Sequence, residues 1–262
     1  MLTSLALGLV VGIILALTGA GGGILAVPLL VFSTGIGVAQ AGPIGLLAVG
    51  MAAVLGALLG LRAGVVRYRA ALLIAATGMV LSPAGLWLAR RVDNRWLGIV
   101  FALTLLYVAW NTFRRAGAPV AERSAAPVCV RDGGTGRFIW TRPCAQAMAM
   151  SGAVAGLLSG LLGVGGGFVM VPALQRYTDL PMKSVVATSL AVIALVSITG
   201  VAATAASGHM NWEIAVPFST GALAGMLGGR AVASKLAGPQ LQKGFAAISA
   251  IVAICMIGKA FM

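Results

Sequence analysis

"GAGGGILAVPLL" at residues 19–30 and "GVGGGFVMVPAL" at residues 163–174 carry one pattern, GxGGGxxxxP, twice in a single chain. Each copy interrupts an otherwise apolar stretch with residues that an ordinary membrane helix has no use for. How the chain accommodates these two breaks decides its fold.

Composition sets the solvent. Hydrophobic residues make up 60% of the chain and charged residues only 9%, and the mean hydropathy is +1.04. Several apolar runs reach the length that a bilayer crossing requires. A transmembrane barrel would show segments of about ten residues alternating apolar and polar, whereas these runs are apolar on every side. The expected fold class is an all-α polytopic membrane protein. The 18 Lys and Arg against 5 Asp and Glu lie at the ends of apolar runs, so they read as a topology signal rather than a nucleic-acid surface. Residues 2–18 have no basic segment before them and their pattern recurs at 152–162, so they read as a retained element rather than a signal peptide.

Gly23 and Gly167 stand 144 positions apart, and the same shift pairs Pro28 with Pro172, Leu46 with Leu190, Gly56 with Gly200, Gly85 with Gly229 and Phe101 with Phe245. The chain therefore divides into two related halves, 1–113 and 145–262, joined by a polar linker over 114–144. Three spans are expected in each half, at 43–61, 70–89 and 96–113, then at 184–206, 214–233 and 243–261. As one straight helix, residues 4–33 would run about 45 Å, half as long again as the ~30 Å hydrocarbon core. Two arms meeting at the glycines fit better, which predicts a re-entrant hairpin at the head of each half.

Charge tests this independently. With the hairpins crossing nothing, each half crosses three times and the second half is inverted. Only Arg90, Arg91, Arg95 and Lys259 then face outward, and the other 14 of the 18 basic residues face the cytoplasm. If the first elements span instead, the split is 10 to 8. The positive-inside bias prefers two inverted repeats, with the linker cytoplasmic and both termini on the outer side.

A helix that ends inside a bilayer must turn its free amides and carbonyls toward protein or a wet cavity, since losing water costs several kcal/mol per group. Gly19, Gly21, Gly22 and Gly23, with Gly163, Gly165, Gly166 and Gly167, allow torsions closed to other residues and let a ligand approach the main chain. Pro28 and Pro172 either open the second arm's first turn or kink it. The second arm offers its N-terminus at mid-membrane, where amides and the helix dipole favour an anion without a lysine. The spaced glycines Gly8-xxx-Gly12, Gly56-xxx-Gly60-xxx-Gly64 and Gly221-xxx-Gly225-xxx-Gly229 are expected to serve close helix packing.

GxGGGxxxxP near the start of each half, "ATSLAVIALVSITG" at 187–200, "GHMNWEIAVPF" at 208–218 and "GALAGMLGGRAVASKL" at 221–236 together resemble the TauE/SafE-type sulfite and organosulfonate exporters. The resemblance spans both halves. It implies a multi-pass carrier in the bacterial inner membrane for sulfite or an organosulfonate such as sulfoacetate or taurine. One departure is that "AGPIGLLAVG" at 41–50 lacks the Thr-Ser found at 188–189.

Other side chains admit simpler roles beside functional ones. Thr188 and Ser189 could donate to an oxyanion or back-bond to helix carbonyls, and Thr18 and Ser159 flank the breaks. Arg230 could pair bidentately with a sulfonate, or snorkel to the cytoplasmic surface. His209 with Asn211, Trp212 and Glu213 reads as an external corner. Within the linker, "VCVRDGGTGRFIW" reads as two short β-prone pieces about a glycine turn. Cys129 and Cys144 bracket it, but on a cytoplasmic side they are expected to stay reduced. No CxxC pair or His cluster suggests a metal, and no cofactor is called for. The expected partners are a small anion and the lipid bilayer, with a homodimer as one assembly open to the chain. Rival readings are a passive anion channel and an intramembrane serine hydrolase using Ser159 and His209, the latter disfavoured because the predicted topology separates them.

Overall fold

A computed structural model of the protein describes residues 2–19, 21–116, 128–130, 138–206, 210–236 and 239–261. Its helices are α1 (Leu2–Thr18), α2 (Gly21–Thr34), α3 (Val38–Arg62), α4 (Tyr68–Arg91), α5 (Asn94–Ala116), α6 (Arg142–Leu162), α7 (Gly167–Tyr177), α8 (Met182–Ala206), α9 (Trp212–Leu236) and α10 (Pro239–Phe261). The all-α fold class expected from composition is the one observed. Among the described residues α3, α4, α5, α6 and α8 are long and apolar enough to cross a membrane. Helices α3 and α8 start and stop at the 144-residue offset, and α4 and α9 start at it.

The packing follows the same exchange. Helix α1 lies along α9, and its counterpart α6 lies along α4, so the first helix of each half is seated on the other half. Helices α3 and α8 pair at the centre and α5 pairs with α10. The α1–α9 seam is made of glycine: a side chain at Gly12 would collide with the carbonyl of Ala222, and one at Gly225 with the carbonyl of Leu9. Without a hydrophobic driving force between helices in lipid, backbone approach of this kind is what holds them together. Gly56 and Gly60 are packed against Met226 and Ala187, as expected of a packing series. Gly64 departs from it: with φ +67° and nothing within 4 Å of a β-carbon, it turns the chain after α3 instead of packing.

Both glycine breaks reverse the chain. A β-carbon on Gly22 would meet the Val11 carbonyl and Leu15, eleven and seven residues earlier, and one on Gly166 would meet the Ala155 carbonyl. The arms are unequal, however. Helix α6 has 21 residues, a rise of about 31 Å, whereas the 11 residues of α7 rise only about 16 Å. The first arm of the second hairpin thus has the length of a full crossing and not of half of one. It begins early because Thr141 caps it, its side chain accepting from the Cys144 amide at 3.3 Å, with Pro143 in the first turn.

The mouth of this second hairpin is tied shut. Cys129 and Cys144 form a disulfide with Cα atoms 5.0 Å apart, and Cys129 also bridges to Thr178, its amide donating to the Tyr177 carbonyl at 2.9 Å. The pair is bonded where reduced thiols were expected, because Cys129, held against Tyr177 and Thr178 at the end of α7, stands beside Cys144 in the first turn of α6. Of the linker hairpin, the Ile139 amide donates to the Val130 carbonyl at 3.0 Å. Its turn, residues 131–137, lies outside the described residues, as does His209.

Candidate anion site at the helix breaks

The two breaks meet. The first turn of α2 rests on the second break, since a β-carbon on Gly23 would stand 2.6 Å from the Val164 carbonyl oxygen and 3.3 Å from the Val49 side chain. Gly19 ends α1 with φ +75°, and Gly163, Gly165 and Gly166 follow α6 with φ +70°, +75° and +67°, torsions that an L side chain adopts only under strain. Gly163 is the left-handed C-cap of α6 and Gly166 the N-cap of α7. Gly166 offers no side-chain cap, so the amides of Gly167 and Phe168 open α7 with no intrahelical acceptor. Gly21 likewise opens α2. Pro28 and Pro172 lie inside α2 and α7 rather than in their first turns, and each denies the carbonyl four residues back, Ile24 or Phe168, its usual donor.

Surrounding residues seal the breaks unevenly. The Ser189 hydroxyl, on α8, donates to the Val186 carbonyl at 2.9 Å and reaches the Gly19 carbonyl at 3.3 Å. Thr188 accepts from the Arg67 amide at 3.1 Å, fixing the α3–α4 loop to α8. Thr18 back-bonds to the Ile14 carbonyl at 2.8 Å. Arg230, half-buried, donates to the Gly56 carbonyl on α3 at 3.2 Å. Among the sequence-selected side chains, Ser159 differs from these four. It is fully buried, and its hydroxyl has no hydrogen-bond partner. It lines a small cavity with Gly42, Leu86, Gly163 and Gly200. Four further buried hydroxyls among the described residues lack partners, Ser82, Ser197, Ser219 and Ser249, and none of them stands out in the sequence. The described residues contain no cluster of His, Cys, Asp or Glu able to hold a metal.

Apolar helices of crossing length, wound about two central breaks, define the class of polytopic membrane transporters. Residues 4–256 match the family described as Sulfite exporter TauE/SafE, and the chain belongs to that family. It is similar to the probable membrane transporter protein YunE of Bacillus subtilis strain 168, 28% identical over 88% of this chain and 87% of that one. It is also similar to probable membrane transporter proteins of Xylella fastidiosa: 29% identical in strain Temecula1 and 30% in strain 9a5c, each over 97% of this chain and 94% of the relative. No solved structure matches the chain.

Proposed function

We propose that the protein is a secondary carrier that exports a small sulfur oxyanion, sulfite or an organosulfonate, by alternating access about the meeting point of the two GxGGG breaks. The observation that carries this reading is the approach of Gly23 to the Val164 carbonyl, which puts the start of α2 against the second break in the protein's interior. Helix N-termini at such a place favour negative cargo through oriented amides rather than fixed positive charge. The rise of about 16 Å for α7 is half a hydrocarbon core, too short for α7 to cross by itself. Inverted repeats with broken helices at the midplane are a recurrent carrier architecture. The basic residues favour an inner-membrane topology with the linker cytoplasmic and the termini outside. In that setting the Cys129–Cys144 bond belongs to the minority of cytosolic disulfides, which are usually redox-responsive.

No covalent step is required of this site, and a hydrolase would need a base within hydrogen-bond reach of Ser159. The testing experiment is reconstitution into liposomes. Saturable sulfite flux with counter-transport is expected; large unitary conductance would replace the carrier with a channel, and hydrolytic activity lost on Ser159→Ala would replace it with an enzyme.

A further inference from the structure

The 144-residue correspondence lets the surroundings of the two breaks be compared position by position. Leu15 and Val186 stand against Gly22 and Gly19 of the first break, and Met226 against Gly12 and Gly56; the corresponding positions of the second half are Ser159, Gly42 and Ser82. The Met226 methyl and Leu190 fill the space over Gly56. Over Gly200, the counterpart of Gly56, Leu46 takes the place of Leu190, while the Ser82 hydroxyl stands back 3.8 Å from where a β-carbon would be. Over Gly56 both neighbours are in contact, whereas beside Gly200 only Leu46 is, and a hollow opens there.

The hollow has about 20 Å³ of water-sized free space and is lined by Gly42, Leu46, Leu86, Ser159, Gly163 and Gly200, among others. That is room for one water or one oxygen-sized group. Ser159 sits on its α6 wall. Ser82, on α4, stands just behind the wall: its main-chain carbonyl lies against Gly160 and its hydroxyl is turned toward Gly200, both lining residues. Both serines are fully buried, and neither hydroxyl has a partner. A buried serine in a helix ordinarily returns its proton to a carbonyl three or four residues back, as Ser151 and Ser189 do here. Of the described buried serines that do not, Ser159 lines this hollow and Ser82 faces Gly200 on its wall from the neighbouring helix; donors without an acceptor are what native interiors seldom tolerate.

We propose that the anion is held on one side of the pseudo-symmetric centre only, at the second break, with the Ser82 and Ser159 hydroxyls donating to its oxygens. The first break is the packed structural counterpart. This assignment rests on the transport reading above. It selects compact oxyanions with at least two free acceptor oxygens, sulfite and sulfonates among them. The hollow receives one such oxygen as it stands, and Leu46 and Leu86 move aside for the remainder. Arg230, which occupies the place of Leu86 at the filled side and is bonded to the Gly56 carbonyl, takes no part in holding the cargo.

The test is uptake of radiolabelled sulfite by proteoliposomes, paired with the thermal shift that sulfite gives the purified protein. Ser82→Ala and Ser159→Ala are each expected to raise the KM for sulfite roughly tenfold, the scale of one hydrogen bond to a charged group. Maximal rate and ligand-free melting temperature should change little, and the sulfite-induced shift should shrink. Ser249→Ala, which removes another buried unpartnered hydroxyl on α10, should leave the KM alone. An unchanged KM in both variants, with wild-type transport intact, overturns the one-sided site and leaves the carrier standing. Wild-type protein neither moving nor stabilised by sulfite, taurine, sulfoacetate or acetate overturns the carrier and this site with it. Should an alanine variant fail to insert, Ser159→Cys, close in size but a weak donor, is read in the same way.

Discussion

The main-chain carbonyl of Val164 lies against the bare α-carbon of Gly23, so the start of one returning helix rests directly on the break of the other. A methyl group there would stand 2.6 Å from that oxygen, and something must move. Gly23→Ala is expected to cost about 1–3 kcal/mol, the range for overpacking a close-packed interior, and to depress anion flux well beyond what that loss explains. Flux at wild-type level in a destabilised variant would separate the meeting of the breaks from transport.

Gly22→Val and Gly166→Val should abolish transport while leaving membrane insertion intact, because they crowd the chain reversal while adding only apolar surface, which favours insertion. Gly166 combines φ +67° with a carbonyl neighbour at Ala155, so its variant carries backbone strain as well as a clash. Membrane fractionation and liposome flux, measured together, check both halves of the expectation.

The glycine seam between α1 and α9 makes a different prediction. Gly12→Leu drives a large side chain into the Ala222 carbonyl and should prevent assembly, seen as loss of monodisperse protein on extraction. Gly228→Ala, on the same α9 but with nothing within 4 Å of a β-carbon, should be neutral or slightly stabilising, as replacing a helical glycine by alanine recovers up to about 1 kcal/mol.

Arg230→Gln tests what the arginine holds. Its recorded partner is the Gly56 carbonyl, so the variant should lose about 1–2 kcal/mol of stability and leave the KM for anion unchanged. A large rise in KM would show that the guanidinium touches cargo.

Replacing Cys129 and Cys144 by serine opens the 15-residue closure, which by chain entropy is worth about 3 kcal/mol. A lowered melting temperature is expected, equal to that of the wild type after reduction. Mass shift on thiol alkylation, taken from cells without prior reductant, reports whether the bond is present there.

Much of this architecture was legible in the sequence, for stated reasons. The repeat was visible because glycine and proline are constrained by backbone geometry, so Gly23 with Gly167 and Pro28 with Pro172 keep register where apolar side chains drift. That the chain turns back at each break followed from the excess length of residues 4–33 over one crossing. The unequal arms did not, because Arg142-Pro143-Cys144 looks like linker; only the capping threonine at 141 signals that a helix has begun. Thr188 and Arg230 are suggestive residue types whose hydrogen bonds turn out to go to main-chain groups, which spacing along one helix cannot reveal. Ser82 escaped notice for the converse reason. A lone serine in an apolar helix is unremarkable until its neighbours in space are known to offer it no acceptor.

The seating of α1 on α9 and of α6 on α4 has a consequence for how such a chain could come to exist. A half-length protein with this fold would present an open glycine groove and an unsatisfied first helix, and could close both only by trading that helix with a second, oppositely oriented copy of itself. Fusion through a linker such as 114–144 would then join covalently two partners whose first helices are each seated on the other.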